Sequence, residues 1–327
     1  MSASIDVVTI PHPRLGSWEV GVRHSVPDAP SPVTPSATPP FAAATSGGSG
    51  STAGAGGSAG PSRRVLLIGG TGQTPDTWRA TEKTLLAAGF EVAVYAARGI
   101  TPSVAPELPW TLDDMAADAL AVLDHLGWSE PVALVGYSLG GFTAELLARR
   151  HPERVAHAVL LGGHNQSSEV SRAARDTRLA IGDDPRAQEA FERFLTFVTT
   201  LDTESLTQRD ALARTWWEVL ELQSSVWAAP HAREGQGQAV TAWVDGTAER
   251  PELPASGVRP VFSLISFAGD LYMPAGAPAE RAAESLGGAP WVSTRTVPGG
   301  HGALFSAPRE VNEALLAELS APPRGEA

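Results

Sequence analysis

The chain has 327 residues, of which 43% are hydrophobic and 18% charged, a balance that excludes wholesale disorder and a coiled coil and suits one large domain or a domain with a sizeable insertion. A formal net charge of −12, with no Lys/Arg run longer than two residues, argues against nucleic acid or anionic lipid as a partner. The absence of cysteine excludes disulfides, thiolate metal sites and a cysteine nucleophile.

Residues 1–13 lack a cationic region followed by an apolar run, and no stretch of 18 apolar residues occurs, so a cytoplasmic protein without a membrane partner is expected. Lys83 is the only lysine, and Ala, Gly and Pro abound, as in high-GC bacterial coding sequences. Ile5 to Ile10 and Trp18 to His24 read as two short strands around the break Pro11-His12-Pro13, making residues 1–25 an opening hairpin. Residues 26–62 are Pro/Ala/Ser/Gly-rich and cannot bury enough apolar area to offset the entropy of ordering, so a flexible loop is expected.

Order returns at Arg64-Val-Leu-Leu-Ile68, a continuous apolar run ending in Gly69-Gly70-Thr71-Gly72, the pattern of a buried parallel strand. A helix (Asp76 to Ala88), a strand (Glu91 to Ala96), a helix (Thr111 to Leu126), a strand (Val132 to Gly136), a helix (Gly141 to Arg150) and a strand (Ala156 to Leu161) follow within residues 63–166. Such βα alternation predicts the α/β class, a doubly wound, mostly parallel sheet with helices on both faces. Over residues 167–255 strand signals give way to amphipathic stretches such as Phe191, Phe194, Leu195 and Val198, which predicts a helical cap. The alternation resumes in residues 256–320, with strands at Pro260 to Phe267 and Trp291 to Val297, a short helix near Ala279 to Leu286 and a closing helix from Pro308 to Leu319; residues 321–327 form a tail.

Gly136-Tyr137-Ser138-Leu139-Gly140 matches G-x-S-x-G, in which small residues on either side allow a strained strand-to-helix turn that projects the serine hydroxyl. Context gives the match its weight, because Gly56-Gly57-Ser58-Ala59-Gly60 matches the same pattern with neither strand before it nor helix after it. Ser138 instead follows Val132 to Val135 and opens a helix, whose N-terminus favours developing negative charge. A serine hydroxyl needs a histidine base, and the histidine a group that fixes its tautomer. Asp270, after the run Val261 to Phe267, and His301, in Val297-Pro-Gly-Gly-His-Gly, both lie at the carboxyl ends of predicted strands, where a doubly wound sheet gathers its site. Asp270 also fits a helix N-cap or turn residue. His164 suits either the pocket or a loop. Trp216, Trp217, Trp227 and Trp243 suit either an apolar cleft or the seam between cap and core, and adjacent Trp216 and Trp217 diverge on a helix, so at most one faces a pocket.

With these residues in the order Ser, Asp, His, the chain resembles the α/β-hydrolase superfamily over roughly residues 62 to 320. The resemblance implies Ser138 as nucleophile, His301 as general base and Asp270 as the acid that orients it. It implies an oxyanion hole from the backbone N–H groups of Thr71 and Leu139, with Gly69-Gly70-Thr71 resembling the family's His-Gly-x turn and Gly69 replacing its histidine. Arg98-Gly99 and Ser103 resemble the family's D-x-R-G-x-G-x-S loop, with Ala96 and Thr101 replacing its Asp and second Gly. Ser266 to Pro274 weakly resembles tailoring hydrolases of bacterial natural-product pathways. The expected activity is hydrolysis of an ester, thioester or lactone of a small, apolar acyl substrate, with Tyr137, His164, Trp216, Trp217 and Trp227 as candidate substrate-binding residues and neither metal nor organic cofactor. The alternatives are a lyase, acyltransferase or small-molecule binding protein on the same fold. A more distant alternative is an NADP-binding Rossmann domain. Val65 to Gln73 resembles its opening and Arg98 could meet the phosphate, but Pro75 stands where its third glycine belongs and no acidic residue ends the next strand.

Overall fold

A computed structural model of the chain describes residues 4–27, 63–164, 168–182, 184–222, 226–255 and 257–322. Most of the segment read as a flexible loop, together with Ser58, therefore lies outside the described residues. Among the described residues eight strands, β1 (Asp6–His12), β2 (Gly16–Ser25), β3 (Arg64–Ile68), β4 (Glu91–Tyr95), β5 (Val132–Tyr137), β6 (Val155–Leu161), β7 (Val261–Phe267) and β8 (Val292–Val297), form one sheet in the order β1-β2-β4-β3-β5-β6-β7-β8. β1 and β2 pair antiparallel and β2 joins β4 antiparallel, whereas β4, β3 and β5 to β8 pair in parallel. The α/β class and the doubly wound, mostly parallel sheet hold.

Side-chain alternation along the central strands serves both faces. Leu66 and Ile68 of β3 join one apolar cluster, with Ala93, Leu134 and Leu160, while Val65 and Leu67 join the other, with Val94, Val135 and Val159. Among the described residues α1 (Arg79–Ala87) packs on the second face, α2 (Leu112–His125) and α3 (Leu139–Arg150) on the first. Thr111 caps α2 in a reciprocal box with Asp114, a device contributing about 1 kcal/mol.

Between β6 and β7 run α4 (Glu169–Ile181), α5 (Pro185–Thr200), α6 (Thr203–Gln208), α7 (Asp210–Leu222) and α8 (Ala232–Val244). The stripe read on α5 is only partly inward: Leu195 is buried, but Phe194 is 59% exposed, and the buried side of the helix runs through Leu195 and Thr199. After β7 come α9 (Ala277–Ser285), then β8, the single turn α10 (Ala303–Ser306) and α11 (Pro308–Ser320), which covers the second face.

Two local readings change. β1 continues through Pro11 and His12 instead of breaking there, because it is an edge strand and the missing proline N–H faces no neighbour. The helix read from Asp76 opens as a 3-10 turn, Pro75–Trp78, before α1. No helix among the described residues is long and apolar enough to cross a membrane.

The topology places the site. From β3 the chain crosses to β4 on one side and then returns to β5 on the other, so the carboxyl ends of β3 and β5 are neighbours, with Ile68 opposite Gly136. The turn after β3 and the residue after β5 therefore meet at the switch point of the sheet, where such folds gather ligands.

Candidate active site

Ser138 sits between β5 and α3 with φ 53° and ψ −118°. It is the single non-glycine residue with positive φ among the described residues, a conformation that costs about 1–3 kcal/mol and persists only where the surroundings impose it. They do: a side chain at Gly136 would overlap the Gly140 carbonyl, and one at Gly140 would overlap the Ile68 carbonyl. The close crossing of strand, elbow and helix thus explains why glycines flank the serine.

His301 lies in the loop after β8 and Asp270 in the loop after β7. His301 Nε2 is 3.0 Å from Ser138 Oγ and His301 Nδ1 is 2.7 Å from Asp270 Oδ2. Asp270 Oδ1 accepts the amide protons of Tyr272 and Met273 at 2.8 and 2.9 Å. Asp270 is therefore at once a turn residue and the partner of the imidazole. Its carboxylate is buried, while the His301 side chain is 12% exposed. The histidine backbone is held on both sides. Its N–H donates to Thr199 O and the next amide, Gly302, to Thr200 O, both at the end of α5, and the Tyr137 hydroxyl donates to its carbonyl.

The turn after β3 lies against the elbow: a side chain at Gly70 would come within 3.2 Å of Ser138 Cβ. The Gly70 amide donates to Gln73 Oε1 at 2.9 Å and the Gly72 amide to Gln236 Oε1 at 3.0 Å. Among the described residues the amides of Thr71 and Leu139, the two expected oxyanion donors, have no acceptor. Gln73 thus ties the turn at a position where Gly69 offers no side chain.

The remaining candidates separate. Tyr137 is buried behind His301, ring centroids 5.3 Å apart. Burial, and then the Asp270 charge, raise its phenol well above the usual range, so it remains a donor. His164 is also buried, with Nε2 3.1 Å from Pro274 O. Burial lowers its pKa, opposed by that carbonyl and by the charge of Asp270. Tyr137 is thus tied to the His301 loop and His164 to the loop after β7. Trp216 packs on Phe305, four residues past His301, at 5.2 Å. Trp217 turns away to Phe197 of α5 and to Arg193, as helical divergence requires. Trp227 lies across the β3 turn, 3.1 Å from where a Gly72 Cβ would stand. Trp243 is fully buried under Arg250 and belongs to the seam.

Arg98 is buried, with Nε and Nη2 on the two oxygens of Asp118 at 2.7 and 2.6 Å. It is unavailable to a nucleotide phosphate, which removes the basis for the NADP reading. Ser103 Oγ likewise bridges Gly21 N and Ala96 O, so this loop is structural. No group of three or more His, Asp or Glu able to hold a metal ion occurs among the described residues. Sequence reasoning missed Gln73, Gln236, Thr199 and Thr200. Gln73, four residues past Gly69, was open to notice as a long polar side chain within reach of the turn, whereas the other three reach the site only through the packing of the cap.

Residues 63–246 match the family model of the alpha/beta hydrolase fold. RutD of Caulobacter segnis, whose name proposes a carbamate hydrolase, is 33% identical over 122 residues, 37% of this chain and 45% of that protein. Rhodomycin D methylesterase of Streptomyces peucetius is 35% identical over 159 residues, 46% of this chain and 51% of the relative. The chain spans about half the length of these curated relatives. Among solved structures, a thermophilic esterase from Thermogutta terrifontis superposes with a TM-score of 0.66 at 20% identity, over 97% of this chain and 100% of the other, a likeness of fold.

Proposed function

The chain belongs to the alpha/beta-hydrolase family, and we propose that it is a serine hydrolase that cleaves an ester, thioester or lactone of a small acyl substrate through an acyl-Ser138 intermediate. The observation that carries the reading is the continuous line Asp270 Oδ2, His301 Nδ1, His301 Nε2, Ser138 Oγ, with contacts of 2.7 and 3.0 Å.

In this reading Asp270 holds the proton on Nδ1, which leaves the Nε2 lone pair facing the serine hydroxyl. Ser138 Oγ attacks the substrate carbonyl as its proton passes to Nε2, and the C=O bond becomes an oxyanion. The amides of Thr71 and Leu139, with the N-terminus of α3 behind Leu139, stabilise that charge. Collapse of the adduct expels the alkoxide or thiolate, which takes the Nε2 proton, and water repeats the sequence on the acyl-enzyme. The residues that act are supplied by the chain, and no metal or organic cofactor enters.

The likeness to a methylesterase makes methyl esters the first substrates to test, and Trp227, which lies on the turn after β3, suits an apolar acyl or alcohol portion. The acidic net charge supports a small-molecule substrate over nucleic acid or membrane, and a cytoplasmic setting belongs to the same proposal. The test is labelling with a fluorophosphonate followed by peptide mapping, alongside turnover of chromogenic acyl esters. Covalent label on Ser138 with turnover supports hydrolysis. Label without turnover redirects the assignment to elimination, acyl transfer or ligand binding, and no label removes it.

A further inference from the structure

Gln236 of α8 is fully buried, and both ends of its amide are engaged. Oε1 accepts from the Gly72 N–H at 3.0 Å, and Nε2 donates to the Arg98 carbonyl at 3.0 Å. One partner is a donor and the other an acceptor, so the orientation of the amide is determined by its surroundings.

Its placement matters because of what lies between the two tied amides. Gly70 is held by Gln73 and Gly72 by Gln236, and Thr71, whose amide has no acceptor among the described residues, stands between them. The turn Gly69-Gly70-Thr71-Gly72 has three glycines, one at φ 69°, so its backbone has little stiffness of its own. An oxyanion donor contributes to rate when it is aimed before the charge develops.

We propose that Gln236 is a positioning residue of the oxyanion hole: α8 of the cap aims the Thr71 N–H by holding the neighbouring amide. The inference rests on the acyl-transfer reading above. The anchor at the far end of Gln236 is rigid, because the Arg98 side chain is clamped on Asp118. The same stretch of cap is stapled alongside by Thr101 N to Val226 O and Ala228 N to Gly99 O, both 2.9 Å, with the Trp227 ring lying on Gly72. Docking of α8 and readiness of the site are therefore one event.

The test compares Gln236→Met, which keeps the length and removes both hydrogen bonds, with Gln236→Glu, which keeps an acceptor toward Gly72, and with Ala239→Gly, a buried change one turn along the same helix. For Gln236→Met, kcat on a chromogenic acyl ester is expected to fall about 10- to 100-fold with KM within about twofold. Affinity for a boronic acid, which forms a tetrahedral adduct on serine, should fall by the same factor, and hydrogen exchange over residues 69–74 should rise. Gln236→Glu should restore most of kcat, and Ala239→Gly should keep it despite a lower Tm. Unchanged kcat in folded Gln236→Met, equal losses in the Met and Glu variants, or an equal loss in Ala239→Gly would each overturn the proposal. A wild-type protein that neither turns over esters nor labels at Ser138 would instead sink the acyl-transfer reading, while exchange over residues 69–74 still shows whether the clamp exists.

Discussion

Asp270 Oδ2 lies 2.7 Å from His301 Nδ1, while the other carboxylate oxygen is fully engaged by the amides of Tyr272 and Met273. The acid is thus locked in a turn by one oxygen and presented to the imidazole by the other. The aspartate can neither swing away from the histidine nor exchange its two oxygens without breaking two backbone hydrogen bonds.

Asp270→Asn should keep that turn, since the amide oxygen can accept from Tyr272 and Met273, but it turns an NH2 group toward Nδ1. His301 must then carry its proton on Nε2, where it cannot take the serine proton. The expected result is a fall in kcat of roughly 10⁴-fold with little change in Tm. Steady-state kinetics beside a melting curve checks it, and near-normal kcat in a folded variant would strike Asp270 from the site.

Tyr137→Phe removes the hydroxyl that donates to the His301 carbonyl and leaves the buried ring in place. An unsatisfied carbonyl costs about 1–3 kcal/mol, so Tm should drop. Because the histidine backbone is still held through Thr199, kcat should fall only several-fold, on the order of the loss from slight misplacement. A drop comparable to that of Asp270→Asn would show that the phenol does more than hold the loop.

The elements of the sheet were legible because β3 and β5 are buried and read as apolar runs, with β6 and β7 nearly so, and because Ser138 and Asp270 follow such runs; His301 follows the polar, half-exposed β8 and was legible from its glycine-rich loop instead. The separation of Trp216 from Trp217 was legible too, since adjacent residues on a helix diverge. The supports were not. Thr199 and Thr200 act through their carbonyls, for which side-chain identity carries no signal, and Gln236 is a polar residue on a helix of weak pattern until α8 is laid across the loop at Arg98. Pro11 misled because a proline breaks a strand only where a neighbour needs its N–H, and that depends on the edge position of β1.

His164 predicts a pH dependence of stability. Burial lowers its pKa in the folded state, so below the unfolded value of about 6.5 the unfolded chain binds a proton that the folded chain resists. The contribution is fully present above that pH and is lost progressively as pH falls through the folded value. Thermal melts between pH 7.5 and 5 should therefore show a decline that is shallower in His164→Gln. Parallel curves for the two proteins would refute this.

Ser138 allows the nucleophile and the strain of its elbow to be separated. Both Ser138→Ala and Ser138→Gly remove Oγ, and each should lower ester turnover by something on the order of 10⁶-fold if the three residues act as a unit. Their stabilities should differ. Alanine keeps a Cβ at φ 53° and ψ −118°, so the backbone remains in a region that costs a non-glycine residue about 1–3 kcal/mol, whereas glycine occupies it freely. Glycine also gains freedom in the unfolded chain, which offsets roughly 0.5–1 kcal/mol. The balance leaves Ser138→Gly the more stable variant by about 1 kcal/mol, measurable by denaturant titration. If the alanine variant is the more stable, the positive φ of Ser138 is not a source of strain, and the elbow owes its glycines to close crossing alone. If either variant retains turnover, the nucleophile is not Ser138 whatever the stabilities show.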